Sequence, residues 1–132
     1  MIADHYLTRA DVITLHGALC SRFGGVPGVR NLPLLESTLA DLKAAGHADI
    51  LAQATTLFER LAFERPFVEG HLRIAFAATD VFLRINGHRV ARNAQSLLAD
   101  LMRMSPPAGG RVPVGPWLRG VVHRADAPRP AG

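Results

Sequence analysis

A short loop in the middle of the chain carries the residues best suited to chemistry. It runs from Arg65 to Arg73 and contains a carboxylate, Glu69, followed by Gly70 and His71. The first N–H groups of a helix lack intrahelical partners and the helix dipole is positive there, so a helix start attracts anions. With Gly70 allowing close approach and His71 and Arg73 beside the amides, the sequence predicts a phosphate-binding site. Glu69 is placed to hold a hard divalent cation.

The helices on either side must position this loop. Pro66 ends the preceding helix, because proline fixes its own φ and pushes the residue before it out of the helical region. Phe67 is apolar and is expected to anchor the loop in a core. The next helix is expected over residues 71–85, apolar nearly all round as in a helix surrounded by others. Asn86 and Gly87 then end it.

Hydrophobic periodicity predicts helices through the rest of the chain. They are expected at residues 8–23, from the capping Asn31 to Gly46, and at 48–64, 91–104 and 114–124, with a linker at 105–110. The pattern predicts an all-α fold, a single-domain helical bundle around a central apolar helix. The domain is expected to span residues 1–125, followed by a flexible tail at 126–132.

Composition supports this view of the fold. The 132 residues fit one domain, and 48% hydrophobic content with one Trp and one Tyr favours an aliphatic helical core. No apolar run approaches the ~20 residues of a membrane span, and the first residues do not resemble a secretory leader, so a cytoplasmic location is expected. The single cysteine, Cys20, excludes an internal disulfide and is expected to be a small buried residue on the first helix.

Charge and histidine patterns argue against two classes of site. The net charge of +4 comes from 15 basic residues, all arginine except Lys43, and the arginines are scattered without interleaved aromatic strands. Direct nucleic-acid binding is therefore not expected. His16, His47, His88 and His123 have no metal-site spacing and are expected at the surface or at helix ends.

The loop resembles the signature of the Fic/Doc family, which reads His-x-Phe-x-Asp/Glu-Gly-Asn-Lys-Arg between two helices. The Gly-Gly-Val-Pro-Gly run at 24–28 is similar to a segment of the small Doc (death-on-curing) toxins, and Phe-Leu-Arg-Ile-Asn-Gly at 82–87 is similar to their Phe-Leu-x-x-Asn-Gly helix end. Arg30 follows the first of these runs, from where it could border a nucleotide site. The loop positions that match are Phe67, Glu69, Gly70 and Arg73.

The resemblance implies an all-helical toxin of a toxin–antitoxin module, neutralised by a small antitoxin protein whose segment lies in a groove next to the loop. It implies transfer of phosphate or AMP from ATP with Mg²⁺ to a protein Ser or Thr hydroxyl, as on translation elongation factor Tu. By register Glu69 would hold the metal, and Gly70, His71 and Arg73 would bind the nucleotide. The alternatives are that Glu69 is a solvated loop carboxylate and Arg73 a surface arginine.

Three positions depart from the family pattern. Arg65 stands at the catalytic His, and a guanidinium cannot act as a general base. Leu72 replaces Lys, and His71 replaces Asn. General acid–base help is typically worth ~10²–10⁴-fold, so transfer is expected to be impaired or rewired. His71 titrates near neutrality and is the candidate substitute base, its alternatives being a phosphate donor or a plain helix-start residue.

Two classes of function therefore stay open. The chain is an impaired transferase, or it is a catalytically inactive Fic-fold protein that acts by binding a partner or nucleotide. A further hypothesis is that Arg65 pairs with Glu69 and takes the place of the cation, so that the site does not admit magnesium.

Overall fold

Helices form most of the chain that the structure describes. The structure, a computed structural model, describes residues 5–46, 48–90, 99 and 114–124. The helices are α1 (Arg9–Phe23), α2 (Leu32–Ala44), α3 (Ile50–Glu59), α4 (His71–Ile85) and α5 (Val114–Val121). Two short strands, β1 (His88–Val90) and β2 (Val122–Arg124), pair antiparallel with His88 opposite Arg124. The predicted helical fold is confirmed.

Polar caps start the first three helices. Thr8 and Asp11 form a capping box, each side chain accepting from the other residue's N–H, at 3.1 and 2.9 Å. The Asn31 side chain accepts from the N–H of Leu34, and Asp49 caps α3 in the same way. Because the first N–H groups of a helix have no intrahelical partner, these caps fix where each helix begins.

The helix that follows the loop is the central element of the fold. α4 packs against α1, α3 and β1. It buries six side chains, and its exposed positions include Arg73 and Arg84. The buried positions of α4 are Ile74, Ala75, Ala78, Thr79, Phe82 and Leu83. The core around it also includes Val12, Leu35, Leu57 and Leu118 from the other four helices. The loop is therefore joined directly to the best-packed helix.

Some predicted boundaries were wrong. The helix expected at 48–64 begins at Ile50, and after Glu59 it widens into a π-helical turn, Arg60–Glu64. The helix expected at 114–124 ends at Val121, and its last three residues form β2. Strands of three residues are too short to show a two-residue periodicity in the sequence. The expected helix at 91–104, the linker at 105–110 and the tail at 126–132 lie outside the described residues, apart from residue 99, which is helical.

His88 also differs from expectation. It lies buried in β1 with 7% of its surface exposed, and its Nδ1 is 3.0 Å from the carbonyl oxygen of Asn86. A carbonyl only accepts, so Nδ1 carries the proton. No helix in the described ranges has the length and apolarity needed to cross a bilayer.

The central position of α4 can be tested with two isoleucines on that helix. Ile74 is fully buried and Ile85 is 39% exposed. Ile74→Ala should lower the free energy of unfolding by about 2–5 kcal/mol, because it removes buried methylenes and leaves a cavity. Ile85→Ala should cost less than about 1 kcal/mol. Urea unfolding followed by circular dichroism measures both, and equal losses would contradict a core centred on α4.

Candidate active site

The loop between α3 and α4 contains two residues in the left-handed backbone region. Arg65 ends the π-helical turn with φ at 54°, and Gly70 precedes α4 with φ at 72°. Among the described residues, Arg65 is the one non-glycine with positive φ. A left-handed conformation costs an ordinary residue about 1–2 kcal/mol, so neighbouring contacts must hold Arg65 there.

Arg30 supplies those contacts. Its Nε donates to the carbonyl oxygen of Arg65 and its Nη2 to that of Glu64, both at 3.0 Å, and Nη2 also reaches the Arg65 oxygen. These carbonyls lie at the end of a helix, where they have no intrahelical donor. From the sequence, Arg30 could border a nucleotide site; in the structure its guanidinium bonds the backbone of the loop.

Backbone pairing ties the same two segments together. The N–H groups of Arg30 and Asn31 both donate to the Pro66 carbonyl oxygen, at 2.7 and 2.9 Å. Val68 N–H donates to the Gly28 carbonyl oxygen at 3.1 Å, and Val29 forms an antiparallel bridge with Phe67. The glycine-rich segment 24–31 thus acts as a backbone template for the loop.

His16 contacts two residues of the loop, Phe67 and Glu69. Phe67 is 2% exposed and stacks on the His16 ring, with centroids 4.1 Å apart and planes 18° from parallel. His16 Nε2 lies 2.7 Å from the Glu69 carbonyl oxygen and, because a carbonyl only accepts, carries the proton. The expectation that His16 lies at the surface was wrong, since it is 2% exposed. It follows Val12 by one helical turn on the buried side of α1, and that spacing is visible in the sequence.

Cys20 lies beside this histidine. Its Sγ is 3.7 Å from Nε2 and 3.9 Å from Nδ1 of His16. The expected position on α1 is correct, but the side chain is half-buried rather than buried.

The start of α4 is open to a ligand in the sense that no side chain caps it. Gly70 occupies the cap position, and no side chain accepts a capping hydrogen bond from the first amides of α4. His71 is half-buried and Arg73 exposed in the first turn, while Leu72 packs against the core. The structure therefore brings the predicted nucleotide-binding residues Gly70, His71 and Arg73 to one helix end.

Glu69 contacts the segment that follows α1, and Arg73 contacts the last residue of α1. The Glu69 carboxylate accepts the N–H of Val26 at 2.5 Å. The Arg73 guanidinium lies over the Phe23 ring, 4.9 Å from its centroid, and Nη1 is 3.4 Å from the Phe23 carbonyl oxygen. Sequence analysis did not assign roles to Phe23 or Val26, because a backbone donor and an exposed ring leave no residue-type signal.

The hypothesis of an ion pair between Arg65 and Glu69 was wrong. Among the ion pairs of the described residues, none joins these two, because the Glu69 carboxylate turns to Val26. The charge of Arg65 acts on His71 instead. Burial of the imidazole and, second, repulsion by Arg65 hold the pKa of His71 below its ordinary value. The lowered pKa favours the neutral imidazole.

Glu69 is the loop carboxylate that could contribute to a metal site. Within the described ranges, His, Cys, Asp and Glu side chains form no group of three or more that could hold a metal. Glu69 offers one carboxylate at the mouth of the site. Magnesium is commonly held by one or two carboxylates together with substrate phosphates, so a lone carboxylate beside an anion site is a suitable arrangement.

A helical domain whose central helix begins at such a loop, paired to a Gly-Gly-x-Pro-Gly segment, has the organisation of a Fic/Doc-type protein. The chain is 35% identical over 91 residues to Toxin Doc of Mycolicibacterium smegmatis, an alignment that covers 65% of this chain and 68% of that protein. The chain belongs to the Doc toxin family. No protein-family model matches it.

The hydrogen bonds from the Arg30 guanidinium to the loop carbonyls, here called the Arg30 clamp, can be tested by removing the Arg30 side chain. Arg30→Ala removes the donors to the Glu64 and Arg65 carbonyls and should cost about 1–2 kcal/mol of unfolding free energy. It should also speed amide hydrogen exchange at Val68, whose N–H bonds Gly28. Arg9→Ala is the matched control, because Arg9 makes one exposed ion pair at 3.4 Å. Unchanged exchange at Val68 in Arg30→Ala would contradict the clamp.

The lowered pKa of His71 gives a second test. Since the folded-state pKa lies below the unfolded value of about 6.5, the unfolded chain binds more protons just below that pH. The stability contributed by neutral His71 is fully present above about pH 6.5 and is lost as the pH falls through the folded-state pKa. NMR titration should show the His71 pKa rising in Arg65→Ala and unchanged in the control Arg119→Ala. An unchanged pKa in Arg65→Ala would remove Arg65 as a cause.

Proposed function

We propose that this protein is the toxin of a toxin–antitoxin module and that it transfers phosphate or AMP from ATP to a protein Ser or Thr hydroxyl. A translation factor is the expected target, which places the activity in the cytoplasm. The observation that carries the proposal is the uncapped start of α4, with Glu69, His71 and Arg73 around it, in a chain of the Doc toxin family.

Phosphate binding follows from the geometry of the helix start. The first amides of α4 point away from the helix, and Gly70 in the left-handed region lets a ligand approach the backbone. Arg73 adds a fixed positive charge on the first turn. Glu69 would hold magnesium, which neutralises charge on the phosphate oxygens when bound.

Proton transfer is the weak step of this site. Arg65 cannot accept a proton from the attacking hydroxyl. His71 is the first residue of α4. Its lowered pKa favours the neutral imidazole, which is the form that can accept a proton. The same lowered pKa makes it a weaker base than an ordinary histidine. We therefore expect slow transfer rather than none.

An antitoxin partner has a surface available to it. α1 and the C-terminal half of α4 form an apolar groove of about 560 Å³, lined among others by Leu7, Leu15, Val81 and Ile85. An amphipathic helix of a small protein would bury its apolar face there. The groove runs beside α1, and an antitoxin segment next to the loop stays the prediction from the sequence resemblance.

A catalytically inactive nucleotide-binding protein is the second candidate. The observation that favours it is Arg65 at the position of the family's general base. The two candidate functions share the anion site. They differ in whether a phosphate or AMP group of ATP is transferred to protein, so one transfer assay separates them.

Purified protein should be incubated with ATP labelled at the α or γ phosphate and a bacterial lysate. Wild type should transfer label weakly, Arg65→His should raise the rate by about 10-fold or more by restoring a base, and Glu69→Ala should abolish it. Glu36→Ala is the matched control, because Glu36 is an exposed carboxylate on α2.

The position of the label that appears on protein identifies the transferred group. Vigorous wild-type labelling that Arg65→His does not increase would show that the loop already has an efficient base. ATP binding without any labelling in wild type or Arg65→His would establish the binding candidate.

A further inference from the structure

One short segment engages both charged side chains that the proposed function assigns to magnesium and phosphate. Residues 23–26 donate the Val26 N–H to the Glu69 carboxylate and place the Phe23 ring and carbonyl oxygen against the Arg73 guanidinium. These contacts use Glu69 Oε2 and the Nη1 donor of Arg73, one of the carboxylate oxygens and one of the guanidinium donors that could bind magnesium and phosphate. The segment and the nucleotide therefore compete for the same two groups.

The segment is shaped to reach over the site. Gly24 and Gly25 have φ of 87° and 110°, values that side-chain-bearing residues rarely adopt. A Cβ on Gly25 would lie 3.4 Å from Glu69 Oε2, the limit of ordinary contact, so it is the φ of 110° that favours glycine at this position. The chain turns here because α1 ends at Gly24, whose N–H bonds the Cys20 carbonyl oxygen at 2.8 Å.

Little packing holds the segment in place. Phe23 is 52% exposed and Val26 is 53% exposed, so neither side chain is part of the core. In contrast, residues 28–31 are fixed to the loop by three backbone hydrogen bonds, from Arg30, Asn31 and Val68. A shift of residues 24–26 off the site would leave the core buried and the loop paired, and Phe23 is an exposed side chain in the last turn of α1.

Resting on the proposed function, we infer that residues 23–26 form a latch, an autoinhibitory contact that occupies Glu69 and Arg73 and opens before a magnesium nucleotide binds. The apparent dissociation constant then equals the intrinsic one divided by the fraction of molecules with the latch open. Weakening the latch raises that fraction. Nucleotide affinity should therefore increase when a latch contact is removed.

Val26→Pro tests the contact with Glu69. Proline has no N–H, so the carboxylate loses its donor, whereas the matched control Val26→Ala keeps the N–H and shortens an exposed side chain. Isothermal calorimetry with Mg·ATP should show the dissociation constant falling about 3- to 10-fold in Val26→Pro, the range expected for loss of one hydrogen bond to a charged group that is partly solvated. Val26→Ala should match wild type.

Phe23→Ala tests the contact with Arg73 without altering the backbone. Loss of an exposed cation–π contact should lower the dissociation constant about two- to fivefold, and Phe23→Tyr, which keeps the ring, should match wild type. This pair keeps the test valid should proline at residue 26 disturb the fold. Circular dichroism checks that each variant is folded.

The outcomes separate the latch from the function on which it rests. Tighter Mg·ATP binding in Val26→Pro and Phe23→Ala, with both controls at the wild-type value, supports the latch. If Phe23→Ala binds Mg·ATP no more tightly than wild type and Phe23→Tyr do, the latch is overturned and the nucleotide site is not. No Mg·ATP binding in any folded variant overturns the nucleotide site itself, and the latch with it.

Discussion

The pairing of two backbone segments is the constraint on which the candidate site depends. A loop that leaves a helix through a left-handed arginine has unsatisfied carbonyls and an unfavourable backbone conformation. Segment 28–31 compensates for both. Its amides donate hydrogen bonds to the Pro66 carbonyl oxygen, and the Arg30 guanidinium donates to the carbonyl oxygens of Glu64 and Arg65. With the loop fixed in this way, Phe67 enters the core and Gly70 begins α4 in the same place in every molecule.

Buried side chains then stabilise this backbone arrangement. The His16 ring stacks on Phe67 and holds the Glu69 carbonyl, so two residues of the loop are fixed through one buried imidazole. A buried ring nitrogen without a partner would be costly, and the Glu69 carbonyl satisfies it. The Glu69 side chain is left to face the solvent side of the loop. Its backbone is thus rigid while its carboxylate can exchange partners.

The sequence was sufficient to predict those parts of the fold that depend on local signals. The cap of Asn31 and the apolar faces of α1 to α4 predicted the helices, and Pro66 with Gly70 predicted the loop. The strands β1 and β2 were missed because their pairing joins residues far apart in the chain. The π-helical turn was missed because a single widened turn keeps the helical pattern of apolar residues.

The roles of the candidate site residues stay predictions, and the partners of their side chains were not predictable from the sequence. The register with the Fic/Doc motif brought Glu69, Gly70, His71 and Arg73 to attention, and the structure places them at one helix end. The partner of Glu69 is a backbone N–H, a group that every residue except proline carries, so no residue type could reveal it. The ion pair with Arg65 was a reasonable hypothesis from spacing, but the left-handed backbone at Arg65 depends on Arg30, which lies 35 residues earlier.

The charges around the loop explain why anion binding and catalysis are separable here. Arg65 and Arg73 lie at the two ends of the loop, and Glu69 is the carboxylate between them. An anion at the start of α4 gains from this excess of positive charge and from the free amides, whether or not a proton is transferred. In the proposed function the general base is a single group, and an arginine in its place would remove the proton acceptor while adding a positive charge near the phosphate. Such a change would weaken proton transfer without weakening anion binding, so the two properties need not disappear together.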